Sequence, residues 1–184
     1  MLGYYLGRSN TKPGWRKLAV KVNRDHAQVR GRSGFFVTNA TTNPESSRNS
    51  DIAAALRSPL DYTSLGLVVR WDTIEASKEP GKKRANYHLT LAVDSALIDS
   101  TDHNHVALDF VTLAKTAVGK PVDQPVAKSV DAHLKDESLA ATREKGVVYK
   151  GALDLPPGEY TVRFVVRDDL NGRVGSVAAP LRVD

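Results

Sequence analysis

Residues 153–183 read LDLPPGEYTVRFVVRDDLNGRVGSVAAPLRV. The segment Tyr160–Val166 alternates with period two, which is the mark of a half-buried β-strand. Pro156, Pro157 and Gly158 precede it. In β-sandwiches a Tyr near the start of the sixth strand folds back to bond its own approach loop. Two prolines stiffen such a loop, and Gly158 permits close approach of backbone and ring, so Tyr160 is the expected corner residue. Asp168 and Asp169 open a turn. Asn171-Gly172 is a strong hairpin dipeptide, because both residues tolerate positive φ. It predicts a hairpin into the last strand, Arg173–Val183.

Upstream the same period recurs. Strands are predicted over Leu65–Ile74, Asn86–Val93, Val106–Leu113, Pro125–Leu134 and Val147–Leu155. Val106, Leu108, Phe110 and Thr112 share one face of the third, with Ala107, Asp109, Val111 and Leu113 on the other. Trp71 sits mid-strand and is expected in the core. Lys135–Lys145 predicts a short helix ended by Gly146. With residues 160–167 and 173–183 there are seven strands joined mostly by short turns. This is an all-β fold: an antiparallel sandwich of immunoglobulin or fibronectin-III type, carrying one short helical insertion.

The first 37 residues differ in composition. They hold eight Lys or Arg and one acid, whereas residues 38–184 hold 18 basic and 20 acidic side chains. Trp15–Val22 predicts a strand, Asn23-Arg24-Asp25 a turn, and Ala27–Arg32 a return strand running into Phe35-Phe36-Val37. Leu2–Gly7 predicts a further short strand. Thr38–Ser50 is rich in Ser, Thr and Asn and predicts a linker, followed by a short helix over Ile52–Arg57 that Pro59 stops. The expected organisation is an N-terminal β-hairpin extension over 1–37, a linker with a short helix over 38–58, and the sandwich over 59–184.

Composition excludes several classes of function. There is no cysteine, hence no disulfide scaffold, thiol chemistry or Cys-ligated zinc. No run approaches the ~20 apolar residues of a membrane span, and the first residues lack a signal-peptide pattern. No Gly-x-Ser-x-Gly elbow or phosphate-binding glycine loop is present.

Both ends of the chain resemble a known family. LDLPPGEYTVRFVVRD followed by NGRVGS is similar to the C-terminal end of acidobacterial VWFA-related proteins. YYLGRSNTKPGWRKLAVKVNRDHAQVRGRSGFF is similar to the stretch that follows their von Willebrand factor A domain. The matching residues are Tyr4, Tyr5, Trp15–Val22, Val29, Arg30, Arg32, Gly34 and Phe35. The metal-binding Asp-x-Ser-x-Ser loop of that A domain does not occur here. The resemblance implies an exported bacterial protein, secreted, periplasmic or at the cell surface.

Four features bear on function. Asp102-His103-Asn104-His105, with Asp99 nearby, could seat a metal, but it reads first as a polar loop opening a strand. Asp72, Glu75, Asp168 and Asp169 supply carboxylates, without a spacing that pairs them for glycoside hydrolysis. Arg16, Lys17, Lys21, Arg30 and Arg32, beside Trp15 and Phe35, form a basic strand pair suited to an acidic glycan or a protein; nucleic acid is disfavoured in an exported setting. Exposed sheet edges suit a protein partner or self-association. The expected function is a non-catalytic module for protein–protein contact or adhesion, with a carbohydrate-binding sandwich as the alternative and no cofactor. Tyr160, Gly158, Asn171, Gly172 and Trp71 are expected to serve structure.

Overall fold

The computed structural model describes residues 14–19, 23, 34–37, 44–92 and 98–184. The chain forms two compact units, Met1–Asn43 and Pro44–Asp184. In the first, β1 (Gly14–Lys17) pairs antiparallel with β2 (Gly34–Val37), Trp15 opposite Phe36 and Arg16 opposite Phe35. The first strand ends at Lys17, short of the expected Val22. The strands expected over 2–7 and 27–32 lie outside the described residues.

The described residues of the second unit hold seven strands in two antiparallel sheets. β3 (Leu67–Ala76), β4 (Lys83–Leu91) and β7 (Val147–Leu155) form one, in the order β3-β4-β7. β5 (His105–Thr116), β6 (Val126–His133), β8 (Gly158–Asp168) and β9 (Val174–Val183) form the other, in the order β6-β5-β8-β9. Their facing sides enclose one core. Tyr87, Leu89 and Leu91 enter it from β4, Leu108 and Phe110 from β5, and Val162, Phe164 and Val166 from β8. These positions repeat every second residue because strand side chains alternate between faces. At the centre Tyr87 meets Phe164 edge-on at 4.9 Å, and Phe110 stacks on Tyr149 at 4.4 Å. The Tyr87 hydroxyl bonds the Thr112 hydroxyl at 2.9 Å. Burial pushes that phenol up to about 12.

β5 and β8 are buried on both faces, which a two-layer sandwich does not require. The cover is α1 (Pro44–Arg57). Ala55 and Leu56 pack on Val111, Leu113, Val165 and Val174 of the four-stranded sheet. Here the structure corrects the expected organisation. The helix expected over Ile52–Arg57 begins eight residues earlier, at Pro44, and the boundary between units falls before Pro44 rather than after residue 58. Pro44 stands at the first helical position, where its missing N–H costs nothing, and Glu45 favours the helix N-terminus. The Ser and Asn residues that argued for a linker are weak helix formers, and docking on the sheet overrides them. The Lys115 ammonium donates to the Leu56 carbonyl at 2.8 Å, satisfying one of the helix's terminal acceptors.

α2 (Asp136–Lys145) links β6 to β7, as the sequence predicts, and buries none of its residues. Gly146, at φ +78°, ends it by donating its N–H to the Thr142 carbonyl.

The β8–β9 connection is the hairpin expected around Asn171-Gly172. Its loop is residues 169–172, in which Gly172 alone, not Asn171, is left-handed, at φ +72°. The Gly172 N–H donates to the Asp168 carbonyl at 2.8 Å. The fully buried Asp168 carboxylate accepts from the Leu170 N–H and the Asn171 amide, both at 3.0 Å. Asn171 in turn accepts from the Arg173 N–H at 2.8 Å. Side-chain acceptors at both ends of the loop hold its shape.

Candidate functional site

Of the basic residues singled out in the sequence, Arg16 and Lys17 lie on β1, and Trp15 between Gly14 and Arg16 is more than half exposed. Lys21, Arg30 and Arg32 lie outside the described residues, and of Phe35 only the β2 backbone is described. Tyr160 donates its hydroxyl to the Pro156 carbonyl at 2.7 Å, the corner geometry expected of it. A Cβ on Gly158 would stand 3.0 Å from that hydroxyl, so a larger residue crowds the ring. Trp71 packs on the core edge against Tyr87 and Phe164, and its Nε1–H donates to the Pro180 carbonyl at 2.9 Å across the sandwich.

The two outer faces differ. That of the four-stranded sheet lies under α1. That of β3-β4-β7 carries Val68, Thr90 and Val148 directly opposite one another across the three strands. Val68 and Val148 are among the exposed large hydrophobics. Among the described residues β7 is the last strand of its sheet, and it pairs with β4 over nine consecutive positions without a break. At the other end β3 carries a register shift between Trp71 and Ile74.

Under α1 lies a polar network that sequence reasoning missed. Arg48 grips the Asp109 carboxylate through Nε and Nη2 and reaches the Ser129 hydroxyl at 2.8 Å. Arg167 pairs with Asp51 at 3.1 Å and with Asp169. Burial drives the Asp109 pKa up, but bonds from Arg48 and Ser129 outweigh it and hold the carboxyl below its ordinary value. Asp169 is pushed the other way, by burial and by the Asp109 charge. Two close carboxylates do exist, therefore, but their partners are helix and sheet cations. Their arrangement serves docking of α1. The one available signal was Asp109 amid the apolar outer face of β5.

A second cluster gathers at the end of β5 and β6. His105 and His133 face each other directly across the two strands, with rings stacked at 4.8 Å. Asp102, from the 3-10 turn Ser100–Asp102, reaches both. Its carboxylate lies 3.2 Å from His105 Nδ1 and 3.6 Å from His133 Nε2. His105 Nε2 bonds Asp131 at 2.8 Å. That bond and the Asp131 and Asp102 charges outweigh the lowering effect of burial and leave the imidazole pKa raised. The sequence marked Asp102, His103 and His105. It did not mark His133, which joins through strand pairing across 28 positions, and it paired His103 with His105 where the structure pairs His105 with His133. His103 is left-handed and its side chain is almost fully exposed.

Among the described helices none is long and apolar enough to cross a membrane. No family model and no curated protein matches the chain. A solved structure described as "X-ray structure of Northeast Structural Genomics Consortium target SoR45" is similar at 13% identity, over 65% of this chain and 83% of that one, with a TM-score of 0.30. A likeness that low carries no argument about fold or function.

Proposed function

We propose that residues 44–184 are a non-catalytic binding module that takes an extended strand of a partner protein on the free edge of β7. The observation that carries this reading is the unbroken nine-residue edge beside the exposed Val68–Thr90–Val148 row. An unpaired edge offers backbone donors and acceptors to an added strand, and an adjacent apolar row reads its alternate side chains. The other edges suit this less. β3 is interrupted by its register shift, and β6 carries Lys128 in the same parity as the core-packed Val130, a charge that discourages pairing.

The division into three and four strands, with a tyrosine corner on the sixth strand of the sandwich, supports a fibronectin-III-like assignment. The exported bacterial setting rests on the resemblance of both chain ends to VWFA-related proteins. The carbohydrate reading asks for a row of exposed aromatic rings. Among the described residues the large exposed hydrophobics include one aromatic, Trp15, so no observation favours it.

The test is selection of displayed peptides on the immobilised full chain, with counter-selection on the Val148→Lys variant. Enriched peptides are expected to alternate β-branched or aromatic residues with polar ones, and to lose binding when their backbone amides are N-methylated. Peptides that bind parent and variant equally, or that tolerate N-methylation, would sink the proposal.

A further inference from the structure

We infer that Asp102, His105 and His133 form a binding site for one divalent transition-metal ion of the zinc class, held at the open end of the β5–β6 pair. One donor atom from each of the three residues lies within 4.8 Å of the other two. The 3.2 and 3.6 Å spacings bracket the ~3.3 Å edge of a tetrahedral site with metal–ligand bonds near ~2.0 Å. Two imidazoles and a carboxylate are a borderline-soft donor set, which suits zinc and its neighbours better than magnesium or calcium.

An independent observation concerns the far side of His105. Its Nε2 is engaged by Asp131, so Nδ1 is the atom turned toward Asp102. A neutral imidazole donating Nε2–H to Asp131 presents a bare lone pair on Nδ1, aimed at a carboxylate. That arrangement is repulsive unless a proton or a metal ion lies between them. A carboxylate on the remote nitrogen is the usual support of a metal-bound histidine, because it fixes tautomer and ring orientation. Asp131 fills that place.

The backbone prepares the site. Asp99 and His105 bond each other in both directions, at 2.9 and 3.0 Å, closing the loop between them. The Asp99 carboxylate caps the Thr101 N–H at 2.9 Å, fixing the turn that carries Asp102. His103 and Asn104 are consecutively left-handed, at φ 50° and 59°, and bring the chain back onto β5. Strand register then sets His133 against His105. Asp102 and His133 are each about half exposed, so an ion can enter and water can complete its coordination. Such an ion would clip the free strand β6 to β5 and to the 99–105 loop.

The experiment is calorimetric titration of the untagged full chain with ZnCl₂ at neutral pH, with MgCl₂ in parallel. Zinc is expected to bind at one equivalent and to raise the thermal midpoint, and magnesium to do neither. His133→Gln and Asp102→Asn should each weaken zinc binding by about tenfold or more. Asp131→Asn should weaken it by roughly 10- to 100-fold, as loss of an outer-shell carboxylate does elsewhere. His88→Ala removes a histidine paired with Asp72 in the other sheet and should change nothing. All four positions are partly exposed, so the variants should fold, which circular dichroism checks. Long-range ¹⁵N spectra should move His105 Nδ1 and His133 Nε2 on adding zinc. Absence of saturable zinc binding, binding undiminished in both His133→Gln and Asp102→Asn, or equal binding of magnesium would each overturn the assignment. The β7 edge lies in the opposite sheet, so neither proposal's failure touches the other.

Discussion

Tyr160 joins sequence and tertiary structure at a single bond. Its ring is buried, and its hydroxyl satisfies the Pro156 carbonyl. Tyr160→Phe keeps the ring and leaves that carbonyl without its partner. Urea unfolding should show a loss of about 1 kcal/mol, as for one hydrogen bond, with the slope unchanged. Asp154 is a second residue whose role is local. The Arg84 guanidinium and the Ser77 hydroxyl bond its carboxylate and lower its pKa to about 2. A depressed acid adds stability above its ordinary pKa and loses it as pH falls through the folded value. The Asp154 contribution is thus complete above about pH 4 and fades toward pH 2. In Asp154→Asn the fall in thermal midpoint between those limits should be shallower than in the parent. An unchanged slope would show that other carboxylates govern acid sensitivity.

At the scale of elements, α1 deserves the closest comparison with the sequence. Its apolar contact is short, centred on Ala55 and Leu56, and the rest of its docking is ionic. Arg163, itself buried, ties the helix to the segment after it: its Nε donates to the Ala55 carbonyl at 3.2 Å and its Nη1 pairs with Asp61 at 2.6 Å. Ala55→Asp would place a carboxylate at a fully buried contact with Val165 and its neighbours. It should cost about 2–4 kcal/mol in chemical denaturation, the penalty of an unpaired polar group in an apolar site. Hydrogen exchange should then rise first in residues 44–57. The clue to this helix was Val111 and Leu113 opposite Phe110 and Thr112, because a strand apolar on both faces needs a cover on both.

For the whole molecule, the division before Pro44 has a consequence for folding. Residues 44–184 contain both sheets and the helix that seals one of them. A chain of residues 44–184 should therefore melt in one cooperative transition. A chain of residues 59–184, the sandwich as the sequence alone delimits it, exposes Val111, Leu113 and Val165 and should aggregate or melt without cooperativity. Scanning calorimetry of the two separates the alternatives; equal, cooperative melting of both would restore the later boundary.

Period-two alternation determined seven strands, their faces and the inward Trp71, because burial on one side of a strand writes itself into every second residue. Pro156, Pro157, Gly158 and Tyr160 likewise announced the corner, since all its partners lie within four positions. The Asn171-Gly172 hairpin was legible in place and extent. What the dipeptide did not show is the role of Asp168, a buried side chain that holds its own loop. Two things were decided by tertiary structure alone. One is the helical state of residues 44–51, whose weak local propensity yields to Arg48 and Asp51 finding partners on the sheet. The other is the meeting of His133 with Asp102 and His105. Strand register sets it, and register is a property of the assembled sheet that neither segment carries by itself.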